Sequence, residues 1–410
     1  MQTAVILFKE KDFLLYVASR FAATIGQSLQ SVAVTWQIYQ VTGSALQIAL
    51  LGLARFIPAL LISLIGGAVA DMRDRRMVLA GAQIATTLTS VIFLAMTAAD
   101  SYNLTVVYLL VGFLGFVGSF ENPARQSLLP QVVPANLYQR AVAFAATSQQ
   151  LSMAVGPMIA GFLIASLGLA QTYAVHVALG VLSTVVLPLI QVKYGSTPRG
   201  SFSVAMVKEG ITYVRDHRAV LGAMTIDLFA VIFAGATALL PIYAEEILGV
   251  GAVGFGMLTA ASAVGSFAMA FCLTFLPPIN AAGRALTITI AGFSIFTILF
   301  GFSTNFLLSL LIYAIVGGFD QIGVVMRSII IQMGTPDALR GRVSAVNFVF
   351  VGASNQLSQV RAGIVADRTN PVFSVVSGGV LCLLSSLLIV RLIPELWRYR
   401  SDAETEAPRS

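Results

Sequence analysis

Charged side chains are scarce in this chain. Asp, Glu, Lys and Arg make up 10% of its 410 residues, hydrophobic residues make up 57%, and the mean hydropathy is +0.88. A soluble domain needs a polar surface, so this balance excludes one. The net charge of +6 comes from small basic groups between apolar runs. Such groups are typical of membrane topology signals, and we expect no nucleic-acid partner.

Cysteine and histidine are also few. Cys272 and Cys382 each stand inside an apolar run, which argues against a disulfide framework. His176 and His217 fall in different regions and form no metal or catalytic pair. The sequence lacks the GxxxxGK[ST], HExxH and GxSxG motifs, so we expect no cofactor, no metal and no enzymatic activity. The first residues lack a basic region and a small-residue cleavage site, which predicts no cleaved signal peptide.

Long apolar runs fill the chain instead. A helix needs about 20 mostly apolar residues to cross a bilayer, and continuous apolar runs indicate helices, since barrel strands alternate. The sequence therefore predicts an all-α membrane protein with twelve transmembrane helices. The expected spans are 13–40, 44–70, 77–98, 105–124, 138–168, 171–192, 220–248, 251–276, 284–303, 305–327, 338–366 and 371–393.

The basic residues predict the orientation of these spans. Twenty of the 24 Lys and Arg residues fall at the termini and in the loops on one side, whereas the opposite loops hold only Arg368. Because cytoplasmic loops are enriched in Lys and Arg, we expect both termini in the cytoplasm.

Two halves of the chain repeat one another. Arg125, Pro134, Leu137 and Arg140 recur 202 residues later as Arg, Pro, Leu and Arg. This constant offset predicts two parallel six-helix halves, 1–192 and 220–393, related by pseudo-symmetry. Between them, residues 193–219 form a predicted cytoplasmic linker with an amphipathic helix, and 394–410 form a cytoplasmic tail.

The loop after the second span resembles a family signature. Gly67, Asp71, Arg75 and Arg76 match G-x-x-x-D-x-x-G-R-R of the major facilitator superfamily, while Asp74 stands where Gly is usual. The chain resembles that superfamily throughout, and in particular the branch of enterobactin exporters and macrolide efflux proteins. Four further stretches support the branch: Trp36 to Pro58, Asn122 to Pro134, Thr335 to Asn347 and Ser354 to Asp367.

The resemblance implies a cytoplasmic gate. In it, Asp71 is drawn to the N-terminus of span eleven and to Arg125, and the pairs break when the transporter opens inward. The simpler explanation is that these charges only set topology. The gate set is Asp71, Arg75, Arg76, Arg125 and Arg327.

Span one carries a polar stripe. Its polar residues recur every three or four positions, so one helix face avoids lipid and is expected to line a polar cavity. Span eleven offers a second set. Arg20 and Arg361 suggest an anionic or catecholate ligand. The cavity candidates are Arg20, Thr24, Gln27, Ser31, Asn355 and Arg361.

Acids inside the predicted spans are candidates for proton coupling. Asp227, Asp320 and Glu121 are costly in lipid and are expected to face the protein interior. Buried ion pairs that fix helix register are the alternative, and for Arg55 this alternative is at least as good. Glu121 lies four residues before Arg125 and is therefore first of all its partner.

Span five contains Gly156, Pro157 and Gly161, which resemble the Gly-Pro motif of exporters within the superfamily. The same residues also suit a distorted helix that packs closely on its neighbours.

The resemblance implies a monomeric inner-membrane transporter that exports a small organic molecule by alternating access, coupled to proton antiport. A siderophore is the favoured substrate. Macrolide or multidrug efflux, proton-coupled uptake, and a non-transporting receptor or scaffold are the alternatives.

Overall fold

Helices form nearly all of the described chain. The computed structural model describes residues 7, 10–72, 74–192, 204–277 and 279–401, except the side chains of 63–72 and 204–207, and this part contains no β-strand. Its long helices are α1 (Lys11–Thr42), α2 (Ala45–Met72), α3 (Arg75–Ala98), α4 (Leu104–Val132), α5 (Tyr138–Leu167), α6 (Leu169–Val186), α7 (Val204–Asp216), α8 (Arg218–Ala234), α9 (Gly251–Leu273), α10 (Ala282–Phe302), α11 (Phe306–Met333), α12 (Arg340–Arg368) and α13 (Pro371–Leu392).

Twelve of these helices correspond to the predicted spans. Ten are long and apolar enough to cross a membrane. The other two, α1 and α12, have 32 and 29 residues and carry the predicted polar stripes, which is why hydropathy alone does not select them. The remaining helix, α7, lies in the predicted linker. The prediction of an all-α membrane protein with twelve spans is confirmed.

The repeat is visible in where helices begin. The helices α11, α12 and α13 each start 202 residues after α4, α5 and α6, respectively. The two first members share a cap: Asn103 Oδ1 accepts from the backbone N–H of Thr105, and Asn305 Oδ1 accepts from that of Leu308. An Asn at this position satisfies a free backbone donor of the first turn, so each copy of the repeat fixes the same helix start.

The predicted seventh span is interrupted. The helix α8 ends before Gly235 and continues as a 3₁₀ turn over Thr237–Leu239, a short α-turn and a π-turn over Tyr243–Ile247. Pro241 has no backbone N–H to donate to the carbonyl of Thr237, which prevents a regular helix there. The sequence indicated one continuous helix because periodicity is insensitive to such a break.

The chain divides into two compact units. Unit 1 comprises Met1–Val41, Leu53–Phe202 and Gly251–Ala260, and unit 2 comprises Thr42–Gly52, Ser203–Val250 and Ala261–Ser410. In unit 1, α3 packs on α4 and α6, and in unit 2 the corresponding α10 packs on α11 and α13. The core of unit 1 includes Phe13 and Leu128, and that of unit 2 includes Ile226 and Leu286.

Candidate functional site

A polar cavity lies within unit 1. Its volume is about 340 Å³, a size that suits a small molecule. The stripe predicted on α1 faces this cavity, with Arg20, Thr24, Gln27 and Ser31 all in its wall. The full lining is Arg20, Thr24, Gln27, Ser28, Ser31, Arg55, Glu121, Asn122, Arg125, Gln126, Gln149 and Met153.

Glu121 is the carboxylate of this cavity among the described residues. It is 6% exposed and forms an ion pair with Arg125, one turn later on α4. Gln83 Nε2 of α3 donates to it at 2.8 Å, and Gln27 Nε2 of α1 donates at 3.2 Å. Three helices therefore supply donors to one buried charge, which offsets the cost of removing it from water.

Arg20 is held on one wall of the cavity. Its guanidinium donates to the hydroxyl of Tyr16 at 3.3 Å and to Oε1 of Gln149 on α5. The Tyr16 hydroxyl in turn donates to the backbone carbonyl of Arg125 at 3.1 Å. The hydroxyl of Thr24 donates to the carbonyl of Arg20 at 2.9 Å. Arg20 is thus positioned by neighbours from two helices.

Arg55 of α2 also lines the cavity. It makes no ion pair and no hydrogen bond with a described residue, although Glu121 is near enough to attract it electrostatically. With Arg20 and Arg125, it gives the described lining three positive charges against the one negative charge of Glu121. The cavity is therefore positive by two formal charges.

The predicted proton-coupling acids of unit 2 differ from one another in partners. Asp227 of α8 forms an ion pair with Arg327 of α11, and their side chains are 13% and 8% exposed. Asp320 lies two turns before Arg327 on α11. It makes no ion pair or hydrogen bond with a described residue, whereas the adjacent Phe319 stacks on Phe296.

The span-eleven cavity candidates lie on α12 in unit 2. Asn355 is exposed, and its side-chain amide donates to the carbonyl of Val351 at 2.9 Å. Arg361 lies against α13, where it donates to the carbonyl of Ser374 at 3.4 Å and its guanidinium borders Gly378. The Nε of Arg361 is buried and has no hydrogen-bond partner in the described structure.

The loop between α2 and α3 holds the signature residues. The side chain of Asp71 lies outside the described residues. Asp74, the residue that departs from the signature, is the N-cap of α3: its carboxylate accepts from the backbone N–H of Arg76 at 2.9 Å and pairs with the Arg76 guanidinium at 2.8 Å. Arg76 also donates to the carbonyl of Ile190, and Arg75 to that of Ser127. These contacts attach the loop to α4 and to the end of the sixth span.

The Gly-Pro residues of α5 lie at close helix contacts within unit 1. A Cβ added to Gly156 would lie 2.6 Å from Cβ of Ser28 on α1. One added to Gly161 would lie 3.1 Å from Cα of Gly256 and would also meet the carbonyl of Ala252 on α9. At Gly161 only Gly allows the two backbones to approach so closely, and at Gly156 it leaves room for the Ser28 side chain.

Sequence reasoning missed two residues that hold the lining side chains in place: Gln83 donates to Glu121, and Tyr16 accepts from Arg20. Gln83 is the one amide side chain of α3, among apolar, Thr and Ser residues, so no stripe singles it out. Tyr16 lies one turn before Arg20, on the line that the stripe follows, but an aromatic residue in such a position indicates helix packing first.

Comparison with known proteins agrees with this architecture. Residues 4–408 match the family described as transmembrane secretion effector, one of the major facilitator families. The chain belongs to this family. It is therefore a multi-pass major facilitator transporter of small molecules and not an enzyme, as the sequence predicted.

Curated relatives of this transporter include enterobactin exporters. Enterobactin exporter EntS of Escherichia coli O1:K1 / APEC is 24% identical over 389 residues, which cover 93% of this chain and 92% of the relative. The protein of the same name from Shigella boydii serotype 18 has the same identity and coverage.

Solved structures with the same fold are other transporters. A bacterial homologue of the iron transporter ferroportin in the inward-facing state has a TM-score of 0.70 and 14% identity, covering 94% of this chain and 98% of its own. A bacterial homologue of the lysosomal transporter Spinster, inward-facing and unoccupied, has a TM-score of 0.68, 13% identity and 96% coverage of both chains. At these identities the likeness shows the fold alone.

Proposed function

We propose that this transporter exports a siderophore from the cytoplasm by alternating access. The observation that carries the proposal is the unit 1 cavity, where donor-bearing side chains, among them Arg20 and Gln27, line a space of about 340 Å³. Oxygen-rich ligands such as catecholates offer acceptors to such donors. The family description, secretion effector, and the enterobactin exporters among the relatives support both the export direction and the substrate.

The proposed location is the bacterial inner membrane, with a monomer embedded in the bilayer and both termini in the cytoplasm. The asymmetry of basic residues supports this orientation. It places the loop before α3 and the linker helix α7 on the cytoplasmic side. It also places the start of α2 on the outer side.

Proton antiport is the proposed energy source. Among the three acids, Glu121 and Asp227 are each held in an ion pair, whereas Asp320 has no such described partner. A carboxylate without an ion pair can exchange protons without breaking one. Asp320 is therefore the first candidate carrier, ahead of Asp227 and Glu121.

The cytoplasmic gate remains part of the proposal. Arg75 and Arg76 attach the signature loop to neighbouring backbone carbonyls, which would hold Asp71 at a fixed place on the cytoplasmic side. Arg125 and Arg327, the repeat-related members, are each paired with a carboxylate, which is buried at Glu121 and partly buried at Asp227.

The substrate is tested in cells. The gene is deleted in its host, cells are grown under iron limitation, and secreted and retained catecholate siderophore are quantified by mass spectrometry. We expect accumulation inside and loss outside, both reversed by the wild-type gene. A variant at the exposed linker residue, Asp216→Asn, serves as the matched control and should also restore secretion. Normal secretion by the deletion strain refutes the siderophore, and a panel of macrolides and amphipathic drugs is then tried.

A further inference from the structure

Arg55 differs from the other two cations of the unit 1 cavity. Arg125 is paired with Glu121, and Arg20 is held by Tyr16 and Gln149. Arg55 lines the same cavity with no hydrogen bond or ion pair to a described residue. Arg55 is exposed and lines the cavity, and a guanidinium within a membrane span is costly unless water, a partner or a ligand compensates it, so its presence needs a reason.

Helix packing does not supply that reason, because the repeat provides an internal comparison. A Cβ on Gly115 of α4 would lie 3.2 Å from Cα of Arg55 and would meet its carbonyl. In unit 2, a Cβ on Gly317 of α11 would lie 2.8 Å from Cα of Ser262 and would meet its carbonyl in the same way. Gly317 follows Gly115 by the 202 residues of the repeat. The same close contact therefore forms around a serine, without a guanidinium.

We propose that Arg55 determines substrate specificity and binds an acidic oxygen group, a carboxylate or an ionised phenol, of the transported molecule. This inference rests on the proposed function and narrows its substrate class. An anionic ligand compensates Arg55 and matches the excess positive charge of the cavity. A cationic amphipathic drug would instead add to that excess.

The test compares an acid with its neutral derivative. The purified full-length transporter is titrated with 2,3-dihydroxybenzoate and with the methyl ester of the same compound. We expect the wild type to bind the acid at least about tenfold more tightly, because hydrogen bonds between charged groups exceed neutral ones by roughly this factor. Arg55→Ser, which installs the residue of the other repeat, should abolish the preference. Arg55→Lys should keep part of it.

Arg215→Ser, at an exposed arginine of α7, is the matched control and should keep the full preference. Equal affinities for acid and ester in the wild type, or a preference that survives Arg55→Ser, would overturn the role of Arg55. Secretion under iron limitation separates this failure from that of the proposed function. If the wild-type gene and Arg55→Ser both restore secretion, only the role of Arg55 is wrong.

A second inference rests on a different contact, at the start of α2. The carboxylate of Asp367, near the end of α12, accepts from the hydroxyl of Ser44 at 2.8 Å and from the backbone N–H of Ala45 at 2.9 Å. It therefore caps the N-terminus of α2, where a negative charge is favourable. All three residues belong to unit 2, whereas α2 passes into unit 1 after Gly52.

The two helices run antiparallel at this contact. A Cβ on Gly363 would lie 2.8 Å from the carbonyl oxygen of Ala45 and 2.9 Å from Cβ of Ala49. Two turns further along α2, a Cβ on Gly52 would lie 2.7 Å from Oε1 of Gln359. Small residues thus bring the first turns of α2 onto the last turns of α12.

The repeat again provides a comparison, here between a helix contact that has a carboxylate and a related contact that lacks one. In unit 1, Gly161 meets the carbonyl of Ala252, as Gly363 meets that of Ala45. The position 202 residues before Asp367 is Ala165, so this second contact forms without a carboxylate. Asp367 is therefore an added constraint on one of the two contacts.

We infer that Asp367 is a latch that holds the start of α2 on α12 and releases when the transporter opens on that side. With the proposed orientation, this is the outer side. Loss of a helix N-cap typically changes an equilibrium by about fivefold to tenfold, so removing the carboxylate should favour the open state by that factor.

A cysteine at Gln359 reports this opening, because Gln359 lies under Gly52 in the latched state. It is introduced with Cys272→Ser and Cys382→Ser and labelled from outside cells with an impermeant maleimide. We expect Asp367→Ala to label about fivefold faster than the parent, and Asp367→Asn to fall between them because its amide oxygen still accepts. Asp216→Ala should match the parent. An unchanged or slower rate in Asp367→Ala overturns the latch, provided that gel filtration shows the same folded protein.

Discussion

At the scale of single residues, each repeat contains an arginine with a carboxylate partner, partly buried at Arg125 and buried at Arg327, but the partners come from different places. Arg125 pairs with Glu121 of its own helix, whereas Arg327 pairs with Asp227 of another helix. The second pair therefore links α11 to α8 directly, whereas the first lies within α4 and reaches α1 and α3 only through the amides that donate to Glu121. The positions of the arginines repeat while their partners do not, so the two units have diverged in how they use the same cation.

This difference predicts the effect of Asp227→Asn. Because the Arg327 side chain is buried, the change leaves a buried charge without its partner, at a cost of about 3–5 kcal/mol. We expect a lower Tm of the detergent-solubilised protein and partial recovery in the double variant Asp227→Asn with Arg327→Met, which removes the stranded charge. A double variant no more stable than the single one would contradict an ion pair that is important for stability.

Asp320→Asn should behave in the opposite way. Asp320 has no ion pair or hydrogen bond with a described residue, so the Tm of the Asp320→Asn variant should stay near that of the wild type. Because Asp320 is the proposed proton carrier, however, the substitution should reduce siderophore secretion under iron limitation to the level of the deletion strain. Asp216→Asn is the control, because it removes an exposed linker carboxylate that is not a proposed proton carrier. Secretion at the wild-type level in Asp320→Asn would move the carrier elsewhere.

Asp74 gives a pH-dependent prediction outside the membrane spans. The hydrogen bond from the Arg76 side chain, with that from its backbone N–H, lowers the pKa of the Asp74 carboxyl below its usual value. A lowered pKa in the folded state means that stabilisation is present above the unfolded value of about 3.9 and is lost as the pH falls through the folded value.

Asp74→Ala should therefore destabilise the protein by about 1 kcal/mol, the usual cost of a lost N-cap. The difference in Tm from the wild type should be constant between pH 5 and 8 and should shrink below pH 4. A difference that grows on acidification would have the wrong sign for this cap.

At the scale of helices, much of the architecture could be predicted from sequence. Long apolar runs indicated the spans, the 202-residue offset indicated the repeat, and the interval of polar residues placed Arg20 and Gln27 on the cavity face of α1. Each of these is a periodic signal along the chain. The break at Gly235 and Pro241 is a local effect of the missing proline N–H, to which hydrophobic periodicity is insensitive. The donor from Gln83 and the lack of a described partner for Arg55 depend on side chains that meet across helices, which periodicity does not encode.

The glycine contacts between helices also lead to a prediction. In Gly161→Ala and Gly363→Ala, the new Cβ meets backbone atoms of the facing helix, which cannot move aside as a flexible side chain can. We expect both variants to lower the Tm. Gly81→Ala is the matched control, because nothing lies within 4 Å of its added Cβ and Ala is favoured over Gly in a helix by about 1 kcal/mol. Equal effects at all three positions would show that close approach is not the cause.

At the scale of the whole molecule, alternating access requires that the cavity of unit 1 opens to each side of the membrane in turn. Asp71, on the cytoplasmic side in the proposed orientation, and Asp367, at the start of α2, would then act in opposite directions on one equilibrium. Removing the first carboxylate should favour opening to the cytoplasm, and removing the second should favour opening outward. A shared equilibrium implies that the two changes partly cancel when combined.

The labelling rate of a cysteine at position Ser31 measures how often the cavity is open to the outside. Ser31 lines the cavity, and Cys is close to it in size. In a background with Cys272→Ser and Cys382→Ser, Asp71→Asn should slow labelling by an impermeant maleimide added outside cells, and Asp367→Ala should accelerate it. The combined variant should label at an intermediate rate, because opposite shifts of one two-state equilibrium add as free energies. If the combined rate equals that of Asp367→Ala alone, the two carboxylates do not act on the same opening, and gate and latch are not parts of one cycle.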